Sequence, residues 1–88
     1  MRELYLDADT LYTRAQAHEA LARAFGFAAD YPATLDALYD RLRAVEQTRL
    51  TLRHAEMLVV NLGNYGELLL RVLAGAAAEN LSFVLSAE

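Results

Sequence analysis

Two short runs of the chain, and a third near its end, alternate apolar and polar residues. Leu4 and Leu6 alternate with Glu3, Tyr5 and Asp7, and Leu50 and Leu52 with Arg49, Thr51 and Arg53. Period two is the signature of a strand with one buried face. Leu81, Phe83 and Leu85 alternate with Ser82, Val84 and Ser86 and predict a third strand. Between these runs the spacing lengthens to that of helices. Ala17, Ala20, Leu21, Ala24 and Phe25 mark the apolar face of a first helix. Thr13 and Gln16 before it have capping-box spacing, and Gly26 after it accepts the left-handed backbone that ends helices.

Tyr31-Pro32-Ala33 reads as a loop, with Thr34 as cap of a second helix. In that helix Leu35, Leu38, Leu42 and Val45 fall within an arc of about 80° and form a core-facing stripe. A last helix is expected from Asn64 to Glu79, with Tyr65, Leu68, Leu69, Val72, Leu73 and Ala76 inward and Asn80 as its stop. His54–Leu62 fits either a short helix or a turn. Strands separated by helical crossovers favour parallel pairing, because a parallel connection needs about a dozen residues or more. The expectation is one α/β domain over residues 1–88, a small three-stranded parallel sheet packed with three to four helices.

Composition narrows the function classes. The chain is 88 residues long and 56% hydrophobic, enough for a packed core and too apolar for intrinsic disorder. It has no cysteine, which excludes disulfides, a thiol nucleophile and thiolate metal ligands. Eight arginines against twelve acids leave a net charge of −4, which points away from nucleic acid and toward basic partners. Met1–Asp7 lacks the apolar run of a signal peptide, and no stretch approaches the ~20 apolar residues of a membrane span. A soluble, cytoplasmic chain that does not bind membranes, carries no cofactor or metal and is monomeric in isolation is expected.

The second helix presents a distinctive polar face. Asp40 lies opposite the leucine stripe, Asp36 and Arg43 lie away from it, and Tyr39 sits at the boundary. Asp36 and Asp40 are spaced i,i+4, where like charges repel by roughly 0.2–0.5 kcal/mol. Two carboxylates beside an aromatic ring make a site for clamping arginines. The plainer reading is a solvated face: Asp36 favours the helix dipole, Asp40 pairs with Arg43, and Tyr39 covers the edge of the core.

The segment Tyr31-Pro32-Ala33-Thr34-Leu35-Asp36-Ala37-Leu38-Tyr39-Asp40-Arg41-Leu42 resembles the loop and second helix of barstar-type ribonuclease inhibitors. Chain length, element order, His18 in the first helix and the closing Phe83-Val84-Leu85-Ser86 are similar to that family as well. The resemblance implies a barstar-like fold and an inhibitor that presses this helix and its loop into the active site of a basic, barnase-like ribonuclease. Asp40 would then mimic the RNA phosphate and Asp36 would engage a second basic group. Tyr39 and Tyr31 would supply apolar contact, and Thr34 would cap the helix and touch the partner. The chain departs from the family pattern at Asp30, where an aromatic residue is expected, at Pro32, where glycine is usual, and at Gly75, near an expected acidic contact.

Other constellations are weaker. His18 with Glu19 and His54 with Glu56 lack zinc-ligand spacing, and His18 is expected at the core edge of its helix. Asp36 and Asp40 as an acid/base pair would need an enclosed substrate pocket that 88 residues hardly provide, so an enzyme is not expected. Gly63-Asn64-Tyr65-Gly66 lacks the spacing and basic residue of a phosphate loop and reads as a turn. The alternative function is a non-inhibitory acidic module that holds another basic protein. Tyr12, Leu70 and Arg71, taken as exposed, would be its candidates for self-association.

Overall fold

The computed structural model describes all 88 residues. The elements run β1 (Arg2–Asp7), a 3-10 turn (Ala8–Thr10), α1 (Arg14–Phe25), α2 (Leu35–Ala44), β2 (Thr48–Arg53), α3 (Glu56–Leu62), α4 (Asn64–Glu79) and β3 (Phe83–Ala87). The three strands form one sheet in the order β1-β2-β3 with both pairings parallel. This is the α/β architecture expected from the order of the elements, completed by four helices.

Register aligns the apolar residues in rows. Leu4 pairs with Leu50 and Leu50 with Leu85, while Leu6 pairs with Leu52. Leu50, Leu52 and Phe83 are fully buried, and Leu4, Leu6 and Leu85 pack against the same core. The opposite face carries Glu3, Tyr5, Arg49 and Arg53, all exposed. Leu38 and Leu42 of α2, Leu69, Leu73 and Ala76 of α4, and Ala17, Leu21 and Phe25 of α1 complete the core.

The local signals act as their chemistry dictates. Thr13 accepts from the Gln16 amide at 3.1 Å, and the Gln16 side chain accepts from the Thr13 amide at 3.2 Å, closing the capping box. Gly26 ends α1 at φ 73°. Thr34 caps α2 by accepting from Ala37 N at 3.1 Å. His54–Leu62 resolves into a left-handed residue at His54, followed by the short helix α3.

Four expectations shift by a residue or a face. Leu81 is 88% exposed and outside β3, because Asn80 accepts from Phe83 N at 2.9 Å and, through its side chain, from Ser82 N at 3.0 Å, turning the chain over residues 80–83. Leu68 is 45% exposed, because the inward row of α4 is Gly66, Leu69, Leu73 and Ala76, and Leu68 stands about 100° off Leu69. Val45 has left the helix for extended backbone (φ −71°, ψ 150°) and only half-buries its side chain. Leu70, expected outside, is half-buried against the core.

Two contacts fix the positions of the helices. Asn80, at the end of α4, donates its side-chain amide to the carbonyls of Leu42 at 3.0 Å and Val45 at 2.9 Å, satisfying the open end of α2. Gly66 lets α4 meet α3: a Cβ there would lie 2.1 Å from the Leu58 carbonyl oxygen. At the far end of the sheet His54 Nδ1 and Asp7 Oδ1 lie 2.9 Å apart and join the ends of β2 and β1. That hydrogen bond holds the Asp7 carboxyl below its ordinary range and the His54 imidazole above its own. No helix is long and apolar enough to cross a membrane.

Leu38→Ala, which empties a fully buried site, is expected to cost about 2–5 kcal/mol in denaturant unfolding, and a loss under about 1 kcal/mol would contradict the packing described. Gly66→Ala, which drives a methyl into α3 backbone, is expected to lower stability by about 3 kcal/mol in the same assay.

Candidate protein-binding site

Burial of Leu38 and Leu42 turns the rest of α2 outward. Asp36 and Asp40 are both exposed. The ion pairs of the structure are Glu19–Arg23, Asp30–Arg41, Glu79–Arg43 and Asp7–His54, and neither carboxylate belongs to any of them. The pairing of Asp40 with Arg43, which a solvated face would use, is not formed. Arg43 instead reaches across to α4, with Nε 3.3 Å from Glu79 Oε2, and its guanidinium carbon lies 5.5 Å from the Tyr39 ring centre. Arg41, also on α2, turns the other way, to Asp30 Oδ1 at 3.4 Å. Both arginines of the helix are thus drawn off its acidic face.

Tyr39 is half-buried at the edge of that face. A methyl added at Gly75 would sit 3.8 Å from its Cε1, so the α4 backbone runs close beside the ring. Its phenol is held above the ordinary value, first by the neighbouring Glu79 carboxylate and then by burial. The acidic group beside Tyr39 therefore comes from Glu79, one turn beyond Gly75, and it is engaged by Arg43.

The loop before α2 brings Tyr31 and Thr34 to the same end of the molecule. Thr34 is exposed and spends its hydroxyl on the helix cap. Ala33, between it and Pro32, takes a left-handed backbone at φ 56°, a conformation that costs an alanine about 1–2 kcal/mol. Tyr31 is half-buried and points its hydroxyl inward, 2.7 Å from His18 Nδ1. Burial, reinforced by neighbouring Tyr65, pushes the Tyr31 phenol up to about 12.

His18 is more deeply placed than a core-edge residue, at 2% exposed, with Nε2 2.6 Å from the Tyr65 hydroxyl of α4. Desolvation lowers its pKa, so the imidazole is neutral near pH 7 and donates to one tyrosine while accepting from the other. The sequence points to Tyr31, Thr34, Asp36, Tyr39 and Asp40 as candidates and to His18 only as a core-edge residue, and it does not single out Tyr65, Phe27 or Arg41 as neighbours of the loop. No local spacing announces partners 47 residues apart. An open groove of about 560 Å³, lined by Arg14, Thr34, Asp36 and Tyr65 among others, runs along this end of the protein.

The structure thus carries a capped helix on an α/β scaffold, with carboxylates outside any ion pair facing out beside tyrosines and a shaped loop. The family model for barstar, described as "Barstar (barnase inhibitor)", matches residues 1–86. The chain belongs to the barstar family, a family of ribonuclease inhibitors rather than enzymes. No curated protein matches the chain.

The buried imidazole sets a pH dependence. A histidine whose folded pKa is depressed contributes its full stability above the unfolded value of 6.5 and loses it as pH falls toward the folded value. The difference in unfolding free energy between the wild type and His18→Gln is therefore expected to shrink from pH 7.5 to pH 5. Taking the difference cancels the opposite slope of His54, whose raised pKa adds stability on the acid side.

Proposed function

We propose that this protein inhibits a basic, barnase-type ribonuclease by occluding its active site with the outer face of α2 and the loop before it. The observation that carries this reading is the pair of exposed carboxylates, Asp36 and Asp40, left without ion-pair partners on a helix that holds two arginines. An active site built to bind RNA phosphates presents clustered cations. A carboxylate held rigidly on a helix can accept the same charge-assisted, bidentate hydrogen bonds as a phosphate oxygen pair. Asp40, farthest from the core stripe, takes the phosphate position, and Asp36 meets a second cation.

Tyr39 and the outer part of Tyr31 supply apolar contact at the rim, and Thr34 lies between them at the helix start. Membership of the barstar family supports the partner class. The helix is ordered before binding by its cap and its buried leucines, so little conformational entropy is lost on docking. A net charge of −4 favours fast, salt-sensitive encounter with a basic enzyme.

The test is titration of purified protein against a panel of basic bacterial ribonucleases, reading RNA cleavage at low and physiological salt. Stoichiometric inhibition is expected. Asp40→Ala should weaken it by about a hundredfold or more, roughly 3 kcal/mol, while leaving thermal stability unchanged. Inhibition unaltered by Asp40→Ala would remove the phosphate-mimic role. No inhibition across the panel would replace the inhibitor with a module that holds another basic protein.

A further inference from the structure

The segment between α1 and α2 has little backbone support of its own. Within it Phe27 N donates to Ala22 O at 2.9 Å and Tyr31 N to Ala28 O at 3.0 Å, but Pro32 and Ala33 make no backbone hydrogen bond. Ala33 is nevertheless held in the left-handed region. Something outside the backbone must impose this path, because a strained residue persists only where its surroundings determine it.

The constraint converges on Tyr31. From α1, His18 Nδ1 lies 2.7 Å from its hydroxyl, and His18 is itself backed by Tyr65 of α4 at 2.6 Å. Within the loop, Phe27 packs on the Tyr31 ring with centroids 4.9 Å apart. From α2, the Arg41 guanidinium carbon stands 5.6 Å from the Tyr31 centroid and 5.7 Å from that of Phe27, and Arg41 also holds Asp30 at 3.4 Å. Two helices and a neighbouring loop residue thus grip one loop side chain. Arg41 is only partly exposed, so its cation–π contacts are partly desolvated and stronger than those at an open surface. The Asp30 position, unexpected for the family resemblance, is accounted for as part of this grip.

We propose that Tyr31 is a positioning residue: gripped by His18 and Arg41, it sets the path of residues 30–34 and thereby the presentation of Thr34 and the acidic face of α2. The Tyr31 hydroxyl faces the protein's own interior and is not offered to a partner. The consequence for binding rests on the inhibitor reading above, whereas the grip itself belongs to the free protein. Neutral His18 completes the chain by donating through one ring nitrogen and accepting through the other, so losing the Tyr31 hydroxyl breaks a relay that runs from the loop to α4.

The experiment is amide hydrogen exchange by NMR on the free, full-length protein, in wild type, Tyr31→Phe and Arg41→Met. Tyr31→Phe keeps the ring and removes one hydrogen bond, and Arg41→Met keeps the apolar stem and removes the cation. Reporters are the hydrogen-bonded amides of residues 27, 31 and 37. Each variant is expected to speed their exchange by about fivefold, the factor that one hydrogen bond's net worth corresponds to. Unchanged exchange at these amides in both variants overturns the proposal. A role confined to global stability would move the Leu50 and Leu69 amides and spare the loop, which exchanges through local opening, and that outcome overturns it too.

With a ribonuclease that the wild type inhibits, Tyr31→Phe should lower affinity by a similar factor without changing the salt dependence, since no charge is lost. A loosened loop with full affinity would overturn the positioning role. If the wild type inhibits no ribonuclease, the inhibitor reading fails while the exchange data still decide whether the grip exists.

Discussion

The contact between α2 and α4 governs what this protein can present. Leu38 and Leu42 are fully buried there, and Asn80 binds the last carbonyls of α2 from the end of α4. With one stripe of a ten-residue helix committed to the core, the rotation of every other residue about its axis follows from helix geometry. Asp40 is turned to the solvent because Leu38 and Leu42 are not. A helix so fixed at both ends, by Thr34 at its start and Asn80 at its finish, offers its outer face as a rigid body.

Availability of the carboxylates is a separate matter from their exposure. Two arginines share the helix with them, and on an isolated helix Arg43 would pair with Asp40 at i,i+3, whereas Arg41, five residues from Asp36 and one from Asp40, has no such partner. Tertiary structure diverts the first and gives the second a partner of its own. Glu79 of α4 draws Arg43 to one side, where its guanidinium also lies over Tyr39. Asp30 and two aromatic rings of the preceding loop draw Arg41 to the other. The same diversion does work at each destination, steadying Tyr39 at one edge of the acidic face and the loop at the other. Neighbouring elements thus keep the acidic face free of internal partners.

Much of the fold is legible in the chain because its signals are local. The Thr13–Gln16 capping box, the Gly26 stop, the Thr34 cap and the leucine stripes each involve residues within about two helical turns, where chain geometry alone brings partners together. Alternation at Leu4–Leu6 and Leu50–Leu52 likewise reports a buried face, and the helical segments between strands imply parallel pairing. The same local rules mislead at their margins. Leu81 continues an alternating run but is taken into the Asn80 turn, and Leu68 satisfies helical spacing but falls beyond the arc that α4 buries.

The sequence by itself therefore determined the three strands, three of the four helices, their order and the parallel sheet, and it marked residues from Tyr31 to Asp40 as candidates. Only the tertiary structure decided which charges of that surface are paired and the shape of its loop. Arg43 finds Glu79 rather than Asp40, and His18 joins Tyr31 to Tyr65 across separations of 13 and 47 residues. The physical reason is range. Capping and periodicity act between residues that the backbone already holds together, whereas an arginine or a buried histidine takes the partner that packing brings within about 3 Å, however far off it lies in the chain.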